Sequence, residues 1–231
     1  MPSRVKEKTR IRESRGTGIG SEYKPWIKTR ELQGSLSVRC NPKNWKNGRT
    51  MELLSLGEEK FWYLINWNDD VVDTQEQFPL DIEITRNLCS DEQVVHPYMD
   101  DEFIHMTTDL LVTYKDGHKD AFSIKSSKKC VEPKKENEGL RKRLRVEKRY
   151  WEEQNIKFHI IFTEDIDKQY LNRYYNIRTV IPFYDINEVF DKCSMLKHLI
   201  ATKTIEIDMD KELLNFRKLM KEYGGLIEWK N

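Results

Sequence analysis

An aspartate and a lysine lie sixteen residues apart in Thr108–Lys128, on either side of a turn. Asp109 opens an aliphatic and β-branched run, Lys115-Asp-Gly117 supplies a turn, and a second run from Ala121 ends at Lys125. Two strands joined there form a hairpin that brings Asp109 and Lys125 to the same end. A carboxylate beside a lysine suits cleavage of a phosphodiester. The carboxylate holds a divalent cation, and the lysine orients or activates the attacking water. Phe122 and Ile124 alternate with Ser123 and Lys125, so the apolar pair turns to a core and Lys125 turns the other way.

Such a site needs more than two residues. Metal-dependent nucleases of the PD-(D/E)XK class use a glutamate on an early helix, an aspartate at a strand start, and an acid or amide two residues before the lysine. Glu58 is the candidate early glutamate. The slot two before Lys125 holds Ser123, a weaker ligand than a carboxylate, and the Ile124 carbonyl is available to complete the set. Mg²⁺ prefers such hard oxygen ligands and keeps several waters. Lys128 is the runner-up lysine. Glu147, on a later helix, either approaches the metal site or pairs with Lys148 or Arg143.

The elements that must place these residues are legible in outline. Leu53, Leu54, Phe61, Trp62, Leu64 and Ile65 fall on helical spacing, with Ser55 as N-cap. The aromatic stripe at 61–67 reads as core. Val71 to Leu80 reads as a strand that Pro79 ends or leaves at an edge. Residues 81–102 read as acidic and irregular. Glu136 to Gln154 reads as a helix with Leu140, Leu144 and Trp151 on its apolar face, and Ile156 to Phe162 as a buried strand. Asn41 to Thr50 reads as a polar loop. Arg15-Gly-Thr-Gly-Ile-Gly-Ser21 has neither a preceding strand nor a Gly-Lys-Ser/Thr ending, so it reads as a flexible loop rather than a nucleotide cradle. Helix, strand, hairpin, helix, strand is an α/β order around a mixed sheet. Beyond Thr163, helices at 167–173, 186–201 and 211–223, with strands at 202–209 and 226–230, suggest a small winged-helix-like module.

Bulk composition bounds the alternatives. The chain has 231 residues, 38% hydrophobic and 34% charged, with a net charge of +1. Six tryptophans argue for a packed domain rather than disorder. No apolar run is long enough to span a bilayer, and the four cysteines have no zinc spacing. They read as reduced thiols of a cytoplasmic protein. Residues 1–50 carry 13 Lys/Arg against 4 Asp/Glu, residues 51–120 carry 4 against 17, and residues 121–150 carry 11 against 4. Basic segments flanking an acidic middle fit a protein that grips a phosphate backbone and gathers carboxylates around a metal. Equally, the first fifteen residues read as a solvated arm. Arg141, Arg145, Lys148 and Arg149 on the basic helix are the candidate DNA contacts, at even weight with a solvated face.

Several strings carry a resemblance: Arg15-Gly-Thr-Gly, Tyr23-Lys-Pro-Trp26, Leu54-Ser-Leu-Gly-Glu58, Glu76-Gln-Phe-Pro-Leu80, Met106-Thr-Thr-Asp-Leu-Leu-Val112, Lys115-Asp-Gly117, Ser123-Ile-Lys-Ser126, Val146-Glu-Lys-Arg-Tyr-Trp151 and Phe162-Thr-Glu164. Together they resemble the TnsA family, the endonuclease subunits of heteromeric transposases, over roughly residues 10–165. The resemblance implies a restriction-endonuclease-like core, a mixed sheet flanked by helices, over residues 1–165. It also implies a small C-terminal helical or winged-helix-like domain over residues 166–231. It implies Glu58, Asp109 and Lys125 as catalytic residues, with Glu58, Asp109, Ser123 and Ile124 around two Mg²⁺ ions that Mn²⁺ can replace. The implied reaction is hydrolysis of one strand at each transposon 5′ end. The implied partners are double-stranded transposon-end DNA, a TnsB-like DDE transposase and a TnsC-like AAA+ ATPase, with no membrane. A catalytically weak DNA-binding scaffold is one alternative, kept alive by Ser123. A stand-alone restriction or repair nuclease is the other.

Overall fold

The computed structural model describes residues 5–32, 38–185 and 191–227. In chain order, a short α1 (Glu7–Arg12) precedes α2 (Leu56–Asn66), β1 (Val71–Pro79) and α3 (Ile82–Asp91). A small ribbon, β2 (Tyr98–Met99) with β3 (Glu102–Phe103), leads to the hairpin β4 (Thr107–Tyr114) and β5 (Lys119–Lys125). Then come α4 (Glu138–Glu152), β6 (Lys157–Phe162), α5 (Thr163–Gln169), α6 (Leu171–Val180), α7 (Lys192–Ala201) and α8 (Phe216–Tyr223).

The main sheet has the order β1-β4-β5-β6. β1 and β5 run antiparallel to β4, and β6 runs parallel to β5, so the sheet is mixed as the sequence predicts. Helices cover both faces. Leu110, Val112, Phe122 and Ile124 pack on Phe61, Trp62 and Tyr63 of α2 and on Ile166, Tyr174 and Ile177 of α5 and α6. On the opposite face Leu111 and Ala121 pack on Leu88 and Cys89 of α3 and Val146, Tyr150 and Trp151 of α4. Trp62 is completely buried and its indole N–H donates to Thr74 Oγ1 at 3.1 Å. Truncating it to alanine would cost about 3–5 kcal/mol.

The stretch from 81 is not irregular. Asp81 caps α3, its side chain accepting from the Ile84 amide at 2.9 Å, and Thr85, Leu88 and Cys89 form the buried stripe. β6 is a half-buried edge strand rather than a fully buried one. Residues 202–209 are turns and coil, and among the described residues no strand follows Phe162, so the wing of a winged helix is absent there. Residues 224–226 form a 3-10 turn, and most of the strand expected at 226–230 lies outside the described residues. Side chains from Val180 onward, including Leu196, Ile200, Met209 and Leu219, form their own cluster. Lys203 ties that cluster to the end of α2, donating to the Trp67 carbonyl at 2.7 Å.

The glycine-rich loop is packed, contrary to the flexible reading. Gly20 N donates to Asp73 Oδ2 at 3.1 Å, Gln75 Nε2 to the Gly18 carbonyl at 3.0 Å, and Trp26 N to the Gln77 carbonyl at 3.3 Å. Residues 16–26 thereby run along the outer edge of β1. Gly16, at φ +74°, lies so close to Pro79 that a Cβ would collide with the ring. The basic N-terminus is no loose arm either. Arg10 is buried against Glu7 at 2.8 Å and Glu31 at 3.0 Å, and Arg15 pairs with Glu13 and Glu31. The 41–50 loop is pinned by Arg49, which grips Glu76 through two hydrogen bonds of 2.6 and 2.7 Å.

Candidate active site

Glu58 is placed by the start of α2. Ser55 is the N-cap: its Oγ accepts from Glu58 N at 3.1 Å and donates to Glu58 Oε1 at 2.9 Å. Leu54 N donates to Glu58 Oε2 at 2.9 Å. Ser55 and Glu58 thus cap one another, and the carboxylate also takes up the Leu54 amide just ahead of the cap. Gly57, one residue earlier, is fixed by crowding: a Cβ there would overlap Thr163 Oγ1 at the start of α5.

The hairpin delivers the other members. Asp109 Oδ2 accepts from Ile124 N at 2.6 Å, from Lys125 Nζ at 3.1 Å and from Ser123 Oγ at 3.3 Å. Lys125 Nζ also donates to the Ile124 carbonyl at 3.0 Å. Lys128 points elsewhere, pairing with Asp165 at 2.9 Å on the surface. Of the two candidate lysines, Lys125 is the one beside Asp109.

Two further buried groups complete the cluster. Glu147 turns inward from α4 and accepts from Thr108 Oγ1 at 2.8 Å; that hydroxyl in turn accepts from Trp151 Nε1 at 2.7 Å. It pairs with neither Lys148 nor Arg143. Its signal was present in the sequence, because an acid at 147 falls on the stripe of Leu140, Leu144 and Trp151. Gln77 of β1, which carried no such signal, donates from Nε2 to Glu58 Oε2 at 3.2 Å.

The electrostatics follow from this crowding. Burial, then the nearby Asp109 charge, push Glu58 up to about 8. The same two causes push Glu147 up to about 8, while Lys125 and the Thr108 and Ser123 hydroxyls pull it back. Burial pulls Lys125 down, but Asp109, Glu147 and Glu58 together outweigh it and raise it. Three carboxyl groups thus share one lysine, and burial favours the protonated form of Glu58 and Glu147.

The donor set fits a hard divalent cation. Its atoms are carboxylate, hydroxyl and carbonyl oxygens. The Lys125 ammonium already bridges Asp109 Oδ2 and the Ile124 carbonyl, two oxygens suited to a cation. Among the described residues no three His, Cys, Asp or Glu side chains stand ready as a coordination cluster, since Glu58 and Glu147 are turned to their own hydrogen-bond donors.

The basic residues of α4 are largely engaged. Arg145 pairs with Glu92 at 2.7 Å and Arg149 with Asp91 at 3.0 Å, both at the end of α3. Lys148 pairs with Glu152 at 3.5 Å along its own helix.

The profile of a family described as "TnsA-like endonuclease N terminal" matches residues 68–164. The chain is also 31% identical over 208 residues to the Escherichia coli protein "Transposon Tn7 transposition protein TnsA", an alignment covering 87% of this chain and 72% of that one.

Proposed function

Since this chain belongs to the TnsA family of endonucleases, we propose that it is the Mg²⁺-dependent subunit of a heteromeric transposase that cuts one DNA strand at each transposon 5′ end. The observation that carries this reading is the meeting of Glu58, Asp109, Glu147 and Lys125 around Ser123 at one end of the sheet.

In this reading Glu58, Asp109 and the Ile124 carbonyl hold the ion, with Ser123 bordering it. Glu147 fixes Thr108 at the strand start. A bound divalent ion lowers the pKa of water and offsets charge on the phosphate. Lys125 exchanges its present oxygen partners for the attacking water and a phosphate oxygen, steadying both. Water adds to phosphorus, the bond to the leaving sugar oxygen breaks, and that oxygen takes up a proton. DNA backbone would lie along Arg141 and Lys148 of α4 and the exposed Lys129 and Lys135 of the preceding loop. The ion pairs of Arg145 and Arg149 hold α4 on the end of α3. A TnsB-like transposase that processes the 3′ ends and a TnsC-like ATPase are the partners proposed.

The scaffold alternative rests on Ser123, whose hydroxyl stands where an acid or amide would bind metal more strongly. One experiment separates the two. The protein is mixed with the cognate transposase and a transposon-end duplex in Mg²⁺, and nicks are mapped on both strands. A 5′-end nick lost in Asp109→Ala and Lys125→Ala supports the nuclease. Binding without such a nick supports the scaffold.

A further inference from the structure

Gln77 lies inside β1 yet has φ +50°. The other non-glycine residues with positive φ, such as Gln93, Asp100 and Asn155, all sit in turns. Among the described residues Gln77 alone adopts this conformation within a strand. A left-handed glutamine is strained, and such strain persists where surroundings over-determine it, often at functional sites.

What the conformation achieves is visible in the pairing. Glu76 faces Leu110 and Phe78 faces Thr108, which sets Gln77 across from Asp109 without a ladder pair. Its side chain, 2% exposed, donates to Glu58 Oε2 at 3.2 Å and accepts from Thr107 Oγ1 at 3.3 Å. Its carbonyl is held by Trp26 N at 3.3 Å. Glu58 is thus gripped from two sides, by its own helix cap and by the sheet. A carboxamide suits this place: it donates to an acidic oxygen without adding a charge to three crowded carboxyl groups.

We propose that Gln77 is a positioning residue for Glu58, its left-handed backbone aiming the carboxamide that sets how Glu58 meets a divalent cation. The proposal rests on Glu58 holding metal. Outer partners of metal ligands typically change metal affinity by about 10–100-fold when lost.

The test is Gln77→Leu, which keeps volume and removes the donor, with Gln77→Met as a second variant should Leu not fold. Hydrogen exchange of the Leu54 amide, which shares Glu58 Oε2, is read in metal-free protein. Mn²⁺ binding is measured by calorimetry, and nicking is followed against Mg²⁺ concentration. The expected results are faster Leu54 exchange and about tenfold weaker Mn²⁺ binding. The Mg²⁺ requirement should rise about tenfold with the KM for DNA unchanged, a split that a general loss of fold would not give. Unchanged Leu54 exchange overturns the contact. Faster exchange with unchanged Mn²⁺ and Mg²⁺ requirements overturns the positioning role. A Glu58→Gln protein that nicks like wild type overturns Glu58 as a metal ligand instead, a failure separable from that of Gln77 because the exchange measurement needs neither metal nor DNA.

Discussion

The hairpin β4–β5 carries an acid–base pair at each end, and only one of them resembles a machine. At the turn, Asp116 hydrogen-bonds His118, and both side chains are more than half exposed. At the other end Asp109 meets Lys125, each about one-fifth exposed, with Glu58 brought from α2 and Glu147 from α4. The residue chemistry is similar at the two ends. What differs is enclosure: three elements converge at the open end, and burial there drives Glu58 and Glu147 up while Asp116, bonded to the His118 backbone, is held down. Exposed pairs are screened by water and count for little. The lesson is that a reactive site is made by what covers it.

The comparison breaks first on Asp109. Asp109→Ala should lower the nicking rate by about 10³-fold or more, whereas Asp116→Ala should leave it within about twofold. Comparable losses from the two would show that enclosure is irrelevant. Lys125→Ala follows, with an expected loss of about 10²–10³-fold, against little change for Lys128→Ala in the same assay.

pH sharpens the contrast. Glu58 and Glu147 are raised to about 8, far above their unfolded values near 4.5. The folded protein therefore keeps protons that the unfolded chain gives up, and their contribution to stability is full below about pH 4.5 and lost as pH rises to about 8. In metal-free protein the melting temperature should fall across that window. Glu147→Gln should flatten the fall, while Asp116→Asn should not. Thermal melts at pH 5 and pH 8 decide it, and added Mg²⁺ should recover stability most at pH 8.

The smallest effect concerns DNA affinity. Lys129→Ala and Lys135→Ala should each reduce the salt dependence of binding by about one counterion. Arg145→Ala should reduce it less, because its Glu92 partner already neutralises it. Fluorescence anisotropy over a salt series measures both.

Much of this site was legible because the hairpin is local. Asp109, the Lys-Asp-Gly turn and Lys125 lie within seventeen consecutive residues, and alternation fixes which way each points. Glu58 was legible through the Ser55 cap, a signal four residues long. Helix α3 escaped because its acidic residues hid a buried stripe of only three side chains. Gln77 escaped because a left-handed residue in a strand is imposed by neighbours distant in sequence, Trp26 and Glu58 among them. The basic segments misled in part: Arg10 and Arg15 are spent on buried glutamates, and counting charge along the chain cannot reveal a partner at Glu31.

The glycine loop has one further consequence, for the behaviour of shortened proteins. β1 is an edge strand, and residues 16–26 run alongside it with hydrogen bonds at Asp73, Gln75 and Gln77. An uncovered edge is a template for another chain. Removing residues 1–26 would bare the β1 edge and free the Gln77 carbonyl from Trp26, and a protein trimmed in this way should self-associate rather than stay dispersed.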